Sequence, residues 1–136
     1  MIYERRAYYH ETDQMGVIHH ANYLKWMEEA RINFLDSIGL SYFKMEELGI
    51  VSPVNSVALD YKHSVLFDQT VCIYIKIKDY TGVKIELEYE IRNKETNELC
   101  ATAYSKHCFI KDKKIISLKR AYPEFHKIFE DYYASN

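Results

Sequence analysis

Cysteine is scarce in this chain. Cys72, Cys100 and Cys108 are odd in number and no two of them share a C-x-x-C spacing, so the sequence offers neither a disulfide framework nor a zinc knuckle. Free thiols in a reducing compartment are expected, and with them a cytoplasmic location. Long apolar runs are missing as well: nothing approaches the ~18 consecutive apolar residues of a membrane span, and no apolar segment follows Arg5 and Arg6 as it would in a signal peptide. An excess of one charge is also lacking. Eighteen Lys and Arg against 20 Asp and Glu give a net charge of −2, which excludes the broad positive field of a general nucleic-acid binder. With four Gly and two Pro, and no linker, charge block or repeat, nothing divides the chain. A single domain over residues 1–136 is expected.

What the chain has in quantity is aromatic and alternating sequence. Thirteen tyrosines and 15% aromatic residues argue against disorder and imply many half-buried contacts. Surface scaling for 16.2 kDa buries roughly two-thirds of the unfolded surface, enough for a core without metal or disulfide staples. From Asn22 to Ile38 the apolar residues Tyr23, Trp26, Met27, Ala30, Phe34 and Ile38 recur at three and four, with Lys25, Glu29, Asn33 and Asp36 opposite. This is one long amphipathic helix, stopped by Gly39. A short helix over Tyr42–Leu48 ends at Gly49. Beyond Pro53 the period becomes two. Val57, Leu59 and Tyr61 alternate with polar neighbours, as do Val71, Ile73, Ile75 and Ile77, and the clearest case is Val83, Ile85, Leu87, Tyr89 and Ile91. Each run reads as a strand with one buried face. Turn residues at Asp79–Gly82 and Asn93–Glu98 predict an antiparallel meander. A further strand runs from Leu99 to Ile110, where Ala101, Ala103 and Ser105 would let a helix pack closely. A last helix begins near Pro123 with Phe125, Phe129 and Tyr132 on one side. The fold class is α+β: an antiparallel sheet of about five strands wrapped around the long helix.

Chemistry concentrates between the first strand and that helix. Tyr9-His10-Glu11-Thr12-Asp13 is followed by Gly16, then by His19-His20-Ala21-Asn22-Tyr23. A loop ending at a helix N-terminus presents unpaired N–H groups and the positive end of the helix dipole, which suits a developing oxyanion, and a nearby carboxylate can activate water.

The stretch Tyr8 to Tyr23, continued by Trp26-Met27-Glu28-Glu29-Ala30-Arg31, resembles the signature of hotdog-fold acyl-CoA thioesterases. Within them it is most similar to the 4-hydroxybenzoyl-CoA thioesterase family, in the branch of the Tol-Pal-associated acyl-CoA thioesterase. The resemblance implies hydrolysis of an acyl-CoA thioester, with Asp13 as the catalytic carboxylate, acting as general base or nucleophile. It implies that His20 at the helix N-terminus polarises the carbonyl through its backbone N–H, and that Tyr9 belongs to the active site. It further implies a homodimer, often paired into a homotetramer, with no cofactor and no metal. This chain has His19 where members often carry Tyr or Phe, which leaves the acyl preference open.

Other readings of the same residues stand beside this one. Asp13 before a helical stretch serves equally as a cap, and Glu28 with Arg31 is in the first place an intrahelical pair. His10, Glu11, Asp13, His19 and His20 are metal-ligand types but lack a recognised spacing. A hotdog dehydratase and a non-catalytic acyl-CoA or acyl-carrier-protein binding module would use the same groove. No GxSxG elbow, P-loop or dinucleotide fingerprint is present.

Overall fold

The structure is a computed structural model and describes residues 2–135. The chain opens with β1 (Ile2–Arg6), makes one 3-10 turn at Tyr9–Glu11, and enters α1 (Asn22–Ser37) and α2 (Tyr42–Glu47). Four strands follow: β2 (Val54–Tyr61), β3 (Thr70–Tyr80), β4 (Lys84–Asn93) and β5 (Leu99–Cys108). A two-stranded ribbon, β6 (Ile110–Lys111) with β7 (Lys114–Ile115), leads to α3 (Leu118–Ala121) and α4 (Pro123–Ser135). The main sheet is antiparallel throughout, in the order β1-β3-β4-β5-β2.

The helical period is realised as expected. Tyr23, Trp26, Met27, Ala30 and Phe34 are buried, and Lys25, Asn33 and Asp36 are exposed. Gly39 follows the cap at φ +90°, the left-handed stop that a Cβ would strain. Opposite α1, Ile73, Ile75 and Ile77 of β3 and Ile85, Leu87, Tyr89 and Ile91 of β4 are buried, so the core is the space between this helix and the concave face of the sheet. α4 starts at Pro123 as the sequence predicts, and Phe129 closes one end of the core against the rings of Tyr80 and Phe109. Among the described residues no helix is long and apolar enough to cross a membrane.

Three expectations change. The alternation of β2 does not yield a buried face: Val57 and Tyr61 are exposed and Leu59 half-buried, because β2 is an edge strand with open space beyond it. The strand expected over Leu99–Ile110 breaks after Cys108, and the chain turns at Asp112 and Lys113, both at positive φ without a glycine. Ala101 and Ala103 are buried in the core, whereas Ser105 lines a groove between α1 and the sheet that the helix does not fill.

Candidate active site

Asp13 sits in a tight loop built by its own chain. Its N–H donates to the Val17 carbonyl at 2.8 Å, and its Oδ1 accepts from the N–H groups of Met15 at 2.8 Å and Val17 at 3.3 Å. Gly16, at φ +80°, lets the chain reverse inside this loop. The turn role that any aspartate could play here is therefore real, and it uses one carboxylate oxygen. Among the described residues Oδ2 makes no hydrogen bond. Ile18 is buried and bonds to Val65, which anchors the loop's far side on the segment after β2.

Glu11 ties this loop to the helix. Its buried carboxylate takes both guanidinium ends of Arg5 at 3.0 and 2.9 Å, the Tyr8 N–H at 2.9 Å and the Trp26 indole N–H at 3.0 Å. Its carbonyl accepts from the His19 N–H at 2.8 Å and the Asn22 amide at 2.9 Å. Arg5 reaches on to Glu29 on the outer face of α1 at 2.8 Å. Burial by itself would raise the Glu11 pKa, but the Tyr8 and Trp26 N–H groups and the Arg5 charge outweigh it and hold the carboxyl below its ordinary value. One side chain thus fixes the strand, the loop and the start of α1 together.

The His20 N–H, which precedes the helix, finds no acceptor among the described residues. The His20 carbonyl takes the Tyr23 N–H and the Tyr61 hydroxyl at 3.1 Å, so the edge strand holds the head of the helix in place. The His20 ring stacks on His19 with centroids 4.3 Å apart. Asp13 and His20 line one pocket of about 310 Å³, together with Tyr23, Tyr61, Lys62 and His63. Tyr9 does not line it: the residue is 74% exposed and its ring lies edge-on to Phe67. Lys62 and His63, which sequence leaves unassigned, enter the pocket wall while paired to Asp60 and Glu98. Among the described residues no group of three His, Cys, Asp or Glu side chains is placed to hold a metal ion.

The geometry brings a carboxylate and the residue that leads into a 16-residue helix to the wall of one small pocket. Comparison with known proteins gives the family. A model of the thioesterase-like superfamily matches residues 9–127. The Bacillus subtilis protein YneP, provisionally named an acyl-CoA thioesterase, is 39% identical over 124 residues, covering 90% of this chain and 89% of its own length. YbgC of Haemophilus influenzae, named an acyl-CoA thioesterase, is 29% identical over 87 residues, 63% of this chain and 64% of that one. The solved DHNA-CoA thioesterase of Staphylococcus aureus superposes with a TM-score of 0.92 at 36% identity, covering 98% of this chain and 90% of that one. The wrapped-helix sheet is the hotdog fold of the thioesterases. The chain belongs to the thioesterase-like superfamily.

Proposed function

We propose that this site hydrolyses acyl-CoA thioesters to a carboxylic acid and free CoA. The observation that carries the reading is the pairing, in one pocket, of a carboxylate with an uncommitted oxygen and a helix-terminal N–H without an acceptor. The His20 N–H takes the thioester carbonyl oxygen and stabilises the negative charge that develops there. Asp13 Oδ2 removes a proton from water as its oxygen bonds to the acyl carbon, the C–S bond breaks, and the proton passes to the departing thiolate. In the covalent variant Asp13 itself attacks and water then opens the mixed anhydride. No cofactor is needed, since a thiolate is a good leaving group. Tyr9, outside the pocket of a single chain, serves the site by contact with substrate or with a second copy.

The chain works as a homodimer, or as two dimers in a tetramer. The support is the bare edge of β2, where Val54, Val57 and Tyr61 are exposed beside unpaired backbone groups. Its buried, unpaired cysteines suit a cytoplasmic setting. The motif from Tyr8 to Arg31 supports a relation to the Tol-Pal-associated branch. The test is a panel of straight-chain and aromatic acyl-CoA thioesters with detection of free thiol: release above the buffer rate is expected from at least one. Tight binding without thiol release would replace the enzyme by a binding module. Light scattering at micromolar concentration should give about twice or four times 16.2 kDa, and a monomer would remove the dimer.

A further inference from the structure

Beyond the catalytic pocket a groove of about 250 Å³ runs between α1 and β2. It is smaller than the ~300–1,000 Å³ that drug-sized ligands occupy, so it has room for an acyl tail and not for a whole acyl-CoA. Leu24 and Met27 of α1 and Val57 of β2 wall it with hydrocarbon. These residues continue the elements that carry Tyr23 and Tyr61 in the catalytic pocket, and α1 from Asn22 to Glu28 spans ~9 Å. An acyl group whose carbonyl rests on the His20 N–H and whose chain runs along α1 toward Glu28 would lay its far end in this groove.

The floor is polar. The Tyr89 hydroxyl lies 2.7 Å from Ser105 Oγ, which lies 2.8 Å from His107 Nε2, and all three residues are at most 3% exposed. Among the described residues His107 Nδ1 makes no hydrogen bond, and the Ser52 and Pro53 carbonyls lie beside the ring. Burial, with the nearby Arg31 charge, pushes its pKa down to about 4, so the ring is neutral at pH 7. The two carbonyls favour the proton on Nδ1. In that tautomer Nε2 accepts the Ser105 proton, and Ser105 Oγ in turn accepts the proton of Tyr89. The Tyr89 hydrogen is spent inside the protein while its oxygen keeps lone pairs unused, so the relay ends in an acceptor. Glu28, the carboxylate at the rim, is already engaged by Arg31 at 2.6 Å.

We propose that the Tyr89–Ser105–His107 relay reads the far end of the acyl group, selecting acyl-CoA thioesters tipped with a hydroxyl over equally long ones ending in hydrocarbon. The inference rests on the thioesterase reading. A tip that cannot donate leaves the Tyr89 oxygen dry at the floor, whereas a hydroxyl satisfies it.

The test compares three matched thioesters that differ only at the tip: hydroxyl, methyl ether and methyl. They are made once on an eight-carbon chain and once on an aromatic acyl group. In one series or the other, the wild type should favour the hydroxyl over both competitors by at least about tenfold in kcat/KM. Tyr89→Phe should bring that ratio close to one. Equal rates on all three tips in both series would overturn the inference, as would a ratio that survives in a folded Tyr89→Phe. The methyl ether, which accepts but cannot donate, tests the direction of the relay in the wild type without any variant. Hydrolysis without discrimination removes only the relay; no thiol from any acyl-CoA removes the thioesterase reading itself.

Discussion

The carboxylate of Glu11 and the imidazole of His107 are both buried near α1, but the networks around them are built differently. Around Glu11 every acceptor site is used: Arg5 grips both oxygens, and Tyr8 and Trp26 donate to one each. Around His107 two atoms are left over, His107 Nδ1 and Arg31 Nε, beside a void about the size of one water. A saturated network spends its hydrogen bonds on holding backbone in place, and here it holds the Asp13 loop to the head of α1. An unsaturated one keeps hydrogen-bonding capacity in reserve, and here it lies under a groove.

Asp13→Asn separates the platform from the chemistry it supports. Asparagine keeps Oδ1 for the Met15 and Val17 N–H groups, so melting should be unchanged, while kcat falls by ~10²–10⁴ because the base or nucleophile is gone. A near wild-type rate would reduce Asp13 to its turn role. Glu11→Gln attacks the platform itself. It leaves Arg5, whose side chain is 12% exposed, with Glu29 as its remaining carboxylate, and urea unfolding should register a loss of ~3 kcal/mol, the cost of breaking a buried pair. The folded Glu11 pKa lies below its ordinary value, so this contribution is present above about pH 4.5 and disappears as the pH falls below it.

His107 should behave differently with pH. Its folded pKa of about 4 lies under the ordinary 6.5, so the unfolded chain binds a proton first. Stability from this group is intact above pH 6.5 and drains away down to about pH 4, by on the order of 2–3 kcal/mol. The difference in urea stability between wild type and His107→Gln, followed from pH 7.5 to 4, measures it; a flat difference would place the imidazole in contact with solvent. The smallest effect belongs to Tyr61→Phe, which removes one neutral hydrogen bond to the His20 carbonyl. It should cost ~1 kcal/mol and less than about tenfold in kcat.

The parts of this molecule that sequence reveals are those governed by local periodicity. α1, β3 and β4 follow from spacing of three and four or of two, since each buries one continuous face. β2 has the same alternation but lies at an edge, and position in a sheet is not written in a strand's own residues. The β6–β7 ribbon and α3 are too short to carry a period, and the ribbon turns without the glycine that would flag it. At the proposed site, Asp13 and His20 are singled out by their motif, and one pocket holds both. Glu11 reads there as one polar residue among several, because its partners Arg5 and Trp26 come from a strand and a helix that only tertiary structure brings together. Tyr61 meets His20 for the same reason, and Tyr89, Ser105 and His107 lie at core-facing strand positions where pattern predicts packing.

The order of strands in the sheet also says when the site can exist. β3, β4 and β5 are joined by short hairpins, and pairs such as Ile73 with Ile91 and Tyr89 with Ala103 are close in sequence. The two outer strands are different: β1 meets β3 across the entire helical segment, and β2 must wait for β5, with Val57 opposite Ser105. Loop-closure entropy favours the local pairings, so the central meander forms first during folding and the outer strands dock late. Because Asp13 follows β1 and Tyr61 closes β2, the proposed catalytic pocket is assembled from the two latest arrivals. A newly made chain acquires its sheet before it acquires its reactivity.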